Sequence, residues 1–343
     1  MVLPPKIVIV GGGPVGALAG LYAAKRGFRV EVYDLRDDIQ KPSLRVDASK
    51  SLNLTLSERG LQAIAGAECP GLLENVIKDA VPIHCRMVHG VNGDKLTQKS
   101  MKYDNGTFAC ALFAPESVFH RLEKEPESII PFFRANFPGV TPDLIPTEDI
   151  VRHFSTNPHF PLLTTKCNKY HYGDSFLLVG DACHALVPFY GVGMNVGFED
   201  VQTFFRDFLD KGKKFDGTLS PLSEKHGELE IGASICTVAL LDAYTAHRRP
   251  DIHAITDLAL EHYDALKVGV NTWSYLLRRW IEDTLEFYAP GMGWTTTYNR
   301  VTYGKERFSE VVKKEQGQGQ VLAFAAGLLC VGLFVALLYL IGL

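Results

Sequence analysis

An α/β fold with a parallel sheet near the N-terminus is the class this 343-residue sequence predicts. Three observations predict it. A short apolar run, Lys6 to Val10, leads directly into a glycine cluster, a small-residue stretch of helical character and a second short strand. A strand–loop–helix pattern returns at 174–200, D-S-F-L-L-V-G-D-A-C-H-A-L-V-P-F-Y-G-V-G-M-N-V-G-F-E-D. Helical text then dominates the C-terminal part, so strands and helices alternate before a helical end.

Composition narrows the functional classes. Charged residues make up 22% and the net charge is −4, so no basic field invites nucleic acid. The seven cysteines are scattered without a C-x-x-C pair, which points to neither a disulfide framework nor a cysteine-built zinc site. His247 and His253 are six apart, and no H-E-x-x-H occurs, so a metal site is not expected. The first five residues run straight into the apolar strand, with no cationic stretch or small-residue cleavage site of a secretory leader.

In the first strand–helix unit, a G-x-G-x-x-G spacing falls on Gly11, Gly13 and Gly16, with Val15 inside the loop. The first glycine allows a tight turn, the second lets a pyrophosphate approach the backbone, and the third lets the helix pack on the strand. A helix over 17–26 ends at Gly27, and a strand over 28–33 ends in Asp34. An acid there can accept both ribose hydroxyls of an adenosine, which makes the unit a Rossmann-like dinucleotide site.

The stretch 51–57 alternates and reads as an edge strand, and Ser57 is placed to cap a short helix. Alternation over 83–91 predicts another strand carrying Arg86. Arg86 reads either as a clamp for a substrate carboxylate or as an ordinary exposed strand arginine. A strand over 107–113 and helices over 115–125 and 128–137 follow, with Phe132, Phe133 and Phe137 as core residues. In the second strand–loop–helix unit, 176–179 reads as a buried strand ending at Gly180-Asp181, and Met194-Asn195 open a helix. A carboxylate at a strand tip suits sugar-like hydroxyls, and the glycine-lined helix start after it suits an anion. Residues 211–234 read as a surface loop and 240–269 as a helix in which Pro250 marks a first turn or a kink. Residues 321–343 carry no charge and, as a helix of roughly 35 Å, could cross a bilayer. The basic residues before that run place the body of the protein in the cytosol.

The G-D stretch from Gly180 to Asp200 resembles the motif of the single-component, FAD-dependent aromatic hydroxylases. Within them it is most similar to the members acting on kynurenine. S-L-N-L-T-L-S-E-R-G at 51–60, C-R-M-V-H at 85–89 and R-R-P-D-I-H-A-I-T-D-L at 248–258 support that closer match. The resemblance implies hydroxylation of L-kynurenine to 3-hydroxykynurenine, on the route of tryptophan degradation toward NAD. FAD, NADPH and O2 would act through a flavin hydroperoxide. It places Gly11, Gly13, Val15 and Gly16 over the FAD pyrophosphate, and Tyr33, Asp34 and Arg36 around the adenosine ribose. It also places Thr55 against the cofactor, Asp181 on the ribityl chain, and Gly193, Met194 and Asn195 beneath the flavin. Arg86, Tyr103 and Tyr298 would bind substrate, with His262 standing where the family has an asparagine. The C-terminal run would be a transmembrane anchor in the outer mitochondrial membrane.

The resemblance also implies a division of the chain. Residues 1–104 and 166–210 form two parts of the FAD-binding domain, and 105–165 are the remnant of a substrate domain with a reduced sheet. Residues 211–234 are the loop, 235–315 a helical region, 316–320 a linker and 321–343 the anchor. Gly11 and Asp181 are only 170 positions apart, whereas family members have roughly a hundred residues more there, enough for several elements. The text jumps between Asp104 and Asn105. Loss of a central strand would leave apolar faces and unpaired N–H groups. Two further readings therefore stand beside the hydroxylase: an inactive shortened membrane-anchored form, and a related flavoprotein monooxygenase acting on a lipid.

Overall fold

The computed structural model describes residues 4–36, 54–80, 86–89, 95–98, 111–142, 144–211, 236–267 and 272–340. The chain divides into two compact units. One comprises Met1–Asp37, Leu54–Pro70 and Leu162–Leu343, and the other Asp38–Asn53 and Gly71–Pro161.

The first unit opens with β1 (Lys6–Val10), α1 (Pro14–Lys25) and β2 (Arg29–Tyr33). The strands pair in parallel, Lys6 opposite Arg29 through Val10 opposite Tyr33. Pro14 at the first helical position fits the fixed φ of proline, and Gly27, at φ +81°, supplies the left-handed turn after the helix. Alternation puts Ile7 and Ile9 half-buried, and the small Gly20 lets α1 lie close to Ile9 and Val30. The other face is open, with Val10 87% exposed and Val8 half exposed. After it comes α2 (Glu58–Ala65), tied to α1 by the buried Tyr22 hydroxyl, which donates to the Ala63 carbonyl at 2.7 Å.

The second unit holds α3 (Leu72–Asp79), an antiparallel pair β3 (Arg86–His89) and β4 (Lys95–Gln98), and then α4 (Glu116–Lys124), α5 (Ile129–Asn136) and α6 (Thr147–Thr156). Leu122, Ile129 and Ile150, one from each of the last three helices, are fully buried together. Phe132, Phe133 and Phe154 pack around them, so the two phenylalanines of α5 serve the core as expected, whereas Phe137, just past the helix end, is 36% exposed. The expected strand over 107–113 is not found among its described residues: 111–113 are irregular.

The first unit resumes with β5 (His171–Tyr172) and β6 (Phe176–Leu177), which pair antiparallel. Next come α7 (Asp181–His184) and α8 (Gly193–Gln202), the latter running on as a π-helical turn over Thr203–Leu209. The helical end consists of α9 (Val238–Lys267), α10 (Trp273–Tyr288), α11 (Thr297–Tyr303) and α12 (Phe308–Leu340). Val196, Val201, Leu209, Leu241, Tyr244 and Ile252 are buried, and α9 packs on the π-helical turn that continues α8. α12 packs along α9.

Four expectations change. The four-residue buried strand at 176–179 is two residues long and its Phe176 is 55% exposed, because its described partner is the equally short β5 rather than a neighbour in a parallel sheet. The described residues of 51–57, 54 onward, form no strand. Pro250 lies inside α9, which runs on through it. Among the described residues no helix is long and apolar enough to cross a membrane, so the expected anchor is not found there. Along α12, Val321, Phe324, Leu328 and Leu329 are exposed, and the last part of the expected span lies outside the described residues. The expected loop at 211–234 lies outside them after Lys211.

Candidate functional site

Several helix starts in the first unit have first-turn N–H groups that no side chain caps, and two of them adjoin open glycines. One is α1 behind Gly13, the other α8 behind Val192. Each carries the positive end of its helix dipole and unpaired backbone donors. Gly11, at φ +106°, makes the turn before α1, and Gly16 is obligatory, since a methyl there would sit 1.9 Å from the Gly11 carbonyl oxygen. The space beside Gly13 and Gly193 is open. A methyl at Gly193 would meet no atom within 4 Å, and one at Gly13 would meet only the Arg36 guanidinium, at 3.9 Å. The donors and the room beside them fit the pyrophosphate and flavin of FAD.

The two starts belong to one junction. Val15, in the first turn of α1, lies where a methyl on Gly180 would meet its Cγ1 at 3.2 Å and a methyl on Gly197 its Cγ2 at 2.7 Å. The glycine loop, the turn before Asp181 and α8 are thus in contact around one valine. Gly180 has φ +60°, so glycine is required there by backbone as well as by space. Asp181 is the first residue of α7 and exposed, rather than the end residue of a long strand.

Asp34 is engaged. Its Oδ2 accepts from the Gly12 N–H at 2.7 Å and the Arg36 guanidinium at 2.9 Å, and its Oδ1 from the Arg36 N–H and Nε. The Arg36 side chain, with those backbone donors, holds this carboxyl well below the usual carboxylate range. A ribose that bound here would displace Arg36 from at least one oxygen. Tyr33 is 58% exposed and donates to Glu31.

Asn195 is fully buried, and its side chain turns away from the helix start. Its Nδ2 donates to the Thr55 carbonyl and its Oδ1 accepts from the Ser57 N–H, both at 2.8 Å. Asn195 therefore latches the 55–57 segment to α8, and its backbone is what faces the cradle. The same latch corrects the cap expected at Ser57: its hydroxyl makes no cap bond and is buried without a partner. Met194, like Gly193, lies in the first turn of α8.

His262 on α9 and Tyr298 on α11 meet across Tyr190, which belongs to the loop before α8. Tyr190 stacks on His262 with centroids 4.3 Å apart and lies 6.0 Å from Tyr298. Beside it Phe189 stacks on Tyr263 at 4.6 Å. Burial pushes the Tyr190 phenol well up, so it stays neutral. Tyr190 and Phe189 were not singled out from the sequence, although an aromatic pair between Pro188 and Gly191 signals rings held on a rigid loop. Arg86 lies on β3 in the second unit, where only the backbone is described, and Tyr103 lies outside the described residues.

Comparison with known proteins adds to the geometry. A family model described as an FAD binding domain matches residues 123–210, and one described as an NAD(P)-binding Rossmann-like domain matches residues 9–46. Kynurenine 3-monooxygenase of Aspergillus oryzae is 30% identical over 93% of this chain and 89% of its own length. That of Chaetomium globosum is 33% identical over 94% of this chain and 97% of its own. The Aspergillus alignment runs over 462 positions against the 343 residues here, which leaves at least 119 of its positions without a counterpart. Among solved structures, 2-methyl-3-hydroxypyridine-5-carboxylic acid oxygenase covers 79% of this chain at 13% identity and a TM-score of 0.47.

Proposed function

The chain belongs to the kynurenine 3-monooxygenase family of FAD-dependent monooxygenases, and on that premise we propose that it hydroxylates L-kynurenine to 3-hydroxykynurenine with NADPH and O2. The observation that carries this reading is the junction at Val15, where the uncapped start of α1, the Gly180 turn and α8 meet around one open cradle. FAD, when bound, supplies the redox chemistry that takes electrons from NADPH and activates O2.

The residues of the chain bind, orient and exclude water. Backbone N–H groups of Gly13, Val15 and Gly16 would hold the pyrophosphate, with Asp34 and Arg36 at the adenosine ribose beside Tyr33. Asp181 would accept from the ribityl hydroxyls, and the N–H groups at Gly193 to Asn195 would favour negative charge on the flavin pyrimidine. Thr55, latched to Asn195, would close the cofactor's flank. Tyr190, His262 and Tyr298 form an aromatic wall that suits a flat aromatic substrate and keeps water from it. Arg86 and Tyr103 would take the amino-acid end, the guanidinium matching the carboxylate's two oxygens.

Purified chain charged with FAD should oxidise NADPH faster when L-kynurenine is added, and should form 3-hydroxykynurenine. Arg86→Ala should raise the KM for kynurenine about tenfold or more, the cost of a lost charge-assisted pair. NADPH oxidation indifferent to kynurenine, with no hydroxylated product, would refute the reading.

A second reading has its own support. At least 119 positions of the A. oryzae relative have no counterpart here, and Val8 and Val10 leave one face of the β1–β2 pair open. On that reading the chain is a shortened form without turnover. The same assay separates the two.

A further inference from the structure

Behind the cradle lies a chain of buried charges that touches none of the residues proposed to hold FAD or substrate. Asp200, at the C-terminal end of α8, is 1% exposed. Its Oδ2 accepts from the Gly180 N–H at 3.0 Å and from His184 Nε2, and its Oδ1 from Arg248 Nε at 2.7 Å. Arg248, on α9, also donates to the Val196 carbonyl at 3.1 Å and to Glu199 at 2.7 Å. Glu199 passes the link to Arg59 on α2 at 2.8 Å. Every donor that reaches Asp200 thus comes from the G-D turn, from α7 or from α9.

Two of these bonds bracket Asp181. Gly180 precedes it in a left-handed conformation, and His184 closes the four-residue helix that it opens. The N–H groups at the entry of such a helix have no intrahelical acceptor, and Asp200 accepts the one from Gly180. Gly197, one helical turn before Asp200, allows the close approach: a methyl there would lie 3.2 Å from the Gly180 Cα.

We propose that Asp200 is a positioning residue of the cofactor site. By binding the Gly180 N–H and His184 together, and being held in turn by Arg248, it fixes where Asp181 points relative to the start of α8. Asp200 makes no contact with FAD on this account; it acts through Asp181. The inference rests on the FAD reading above.

The test is a double-mutant cycle on the full chain, read as the dissociation constant of FAD from apoprotein by quenching of flavin fluorescence. Asp200→Asn keeps the size of the side chain but cannot accept from all three donors. It should weaken FAD binding about ten- to a hundredfold. In an Asp181→Asn background it should cost far less, because the residue through which it acts is already lost. A purely structural role would give the same loss in both backgrounds, and that result, or an unchanged dissociation constant, would overturn the proposal.

If Asp200→Asn fails to fold, His184→Leu serves in the same cycle. It removes one donor to Asp200, leaves the Arg248 pair in place, and should show the same coupling to Asp181. Wild-type apoprotein that takes up no FAD would overturn this proposal and the hydroxylase reading together. Coupled loss of FAD affinity without kynurenine-dependent NADPH oxidation would support this proposal and refute only the hydroxylase.

Discussion

Asp200 and Arg248 set the electrostatic character of the site's foundation. Burial by itself raises the Asp200 carboxyl, but the charges of His184 and Arg248 and their hydrogen bonds reverse that and bring it down to about 2 from an ordinary 3.8. A carboxyl whose folded value is depressed stabilises the fold above its unfolded value, and that contribution fades as pH falls through the folded one. Between about pH 4 and pH 2 the protein should therefore lose on the order of 2 kcal/mol through this group alone. Denaturant unfolding across that window should show a flatter pH dependence in Asp200→Asn than in wild type. Equal slopes would mean that the pair does not act this way. The sequence did not expose this pair, although both residues stand in motifs quoted for other reasons. Asp200 and Arg248 are 48 positions apart, and no local pattern announces a contact at that range. Gly11, Gly13 and Gly16 were legible because their requirement is local: a tight turn and a close backbone leave no choice of residue. Ser57 shows the opposite case. Its type suggested a cap, but Asn195, 138 positions away, takes its N–H.

Among the elements, β1 and β2 lie where apolar runs put them, and α1 stops before Gly27 as expected but begins at Pro14, three residues ahead of the expected start. The segment 176–179 did not follow its pattern. An apolar run predicts burial only if neighbouring strands exist to bury it, and β6 has β5 alone among the described residues. α8 is the element on which the site depends, because it touches α1, α2 and the Gly180 turn at once. Gly197 sets that approach. Gly197→Ala would place a methyl 2.7 Å from Val15 Cγ2, and relief requires α8 or the glycine loop to move. The expected result is a loss of about 1–3 kcal/mol, seen as a lower Tm, together with weaker FAD binding. A variant as stable as wild type with unchanged FAD affinity would show that the junction is looser than its geometry implies.

For the whole molecule, the family relationship and the structure describe the same incompleteness from two sides. Relatives aligned over nearly all of this chain have at least 119 more positions within the aligned span. The chain in turn presents apolar surface of the kind such a segment would cover. Val8 and Val10 are open on β1, and on α10 Trp273, Trp280 and Phe287 are each more than half exposed along one face. The sequence made both the family and the gap legible, because motifs survive on either side of it. It could not say whether what remains closes into a working cradle, which depends on contacts such as Val15 with Gly180 and Gly197 that no motif encodes. The most direct measurement is the visible absorption spectrum of the purified chain after incubation with FAD and removal of the excess. If the cradle closes, the bands of bound flavin should appear at close to one equivalent and shift when L-kynurenine is added. Folded protein that stays colourless would contradict closure.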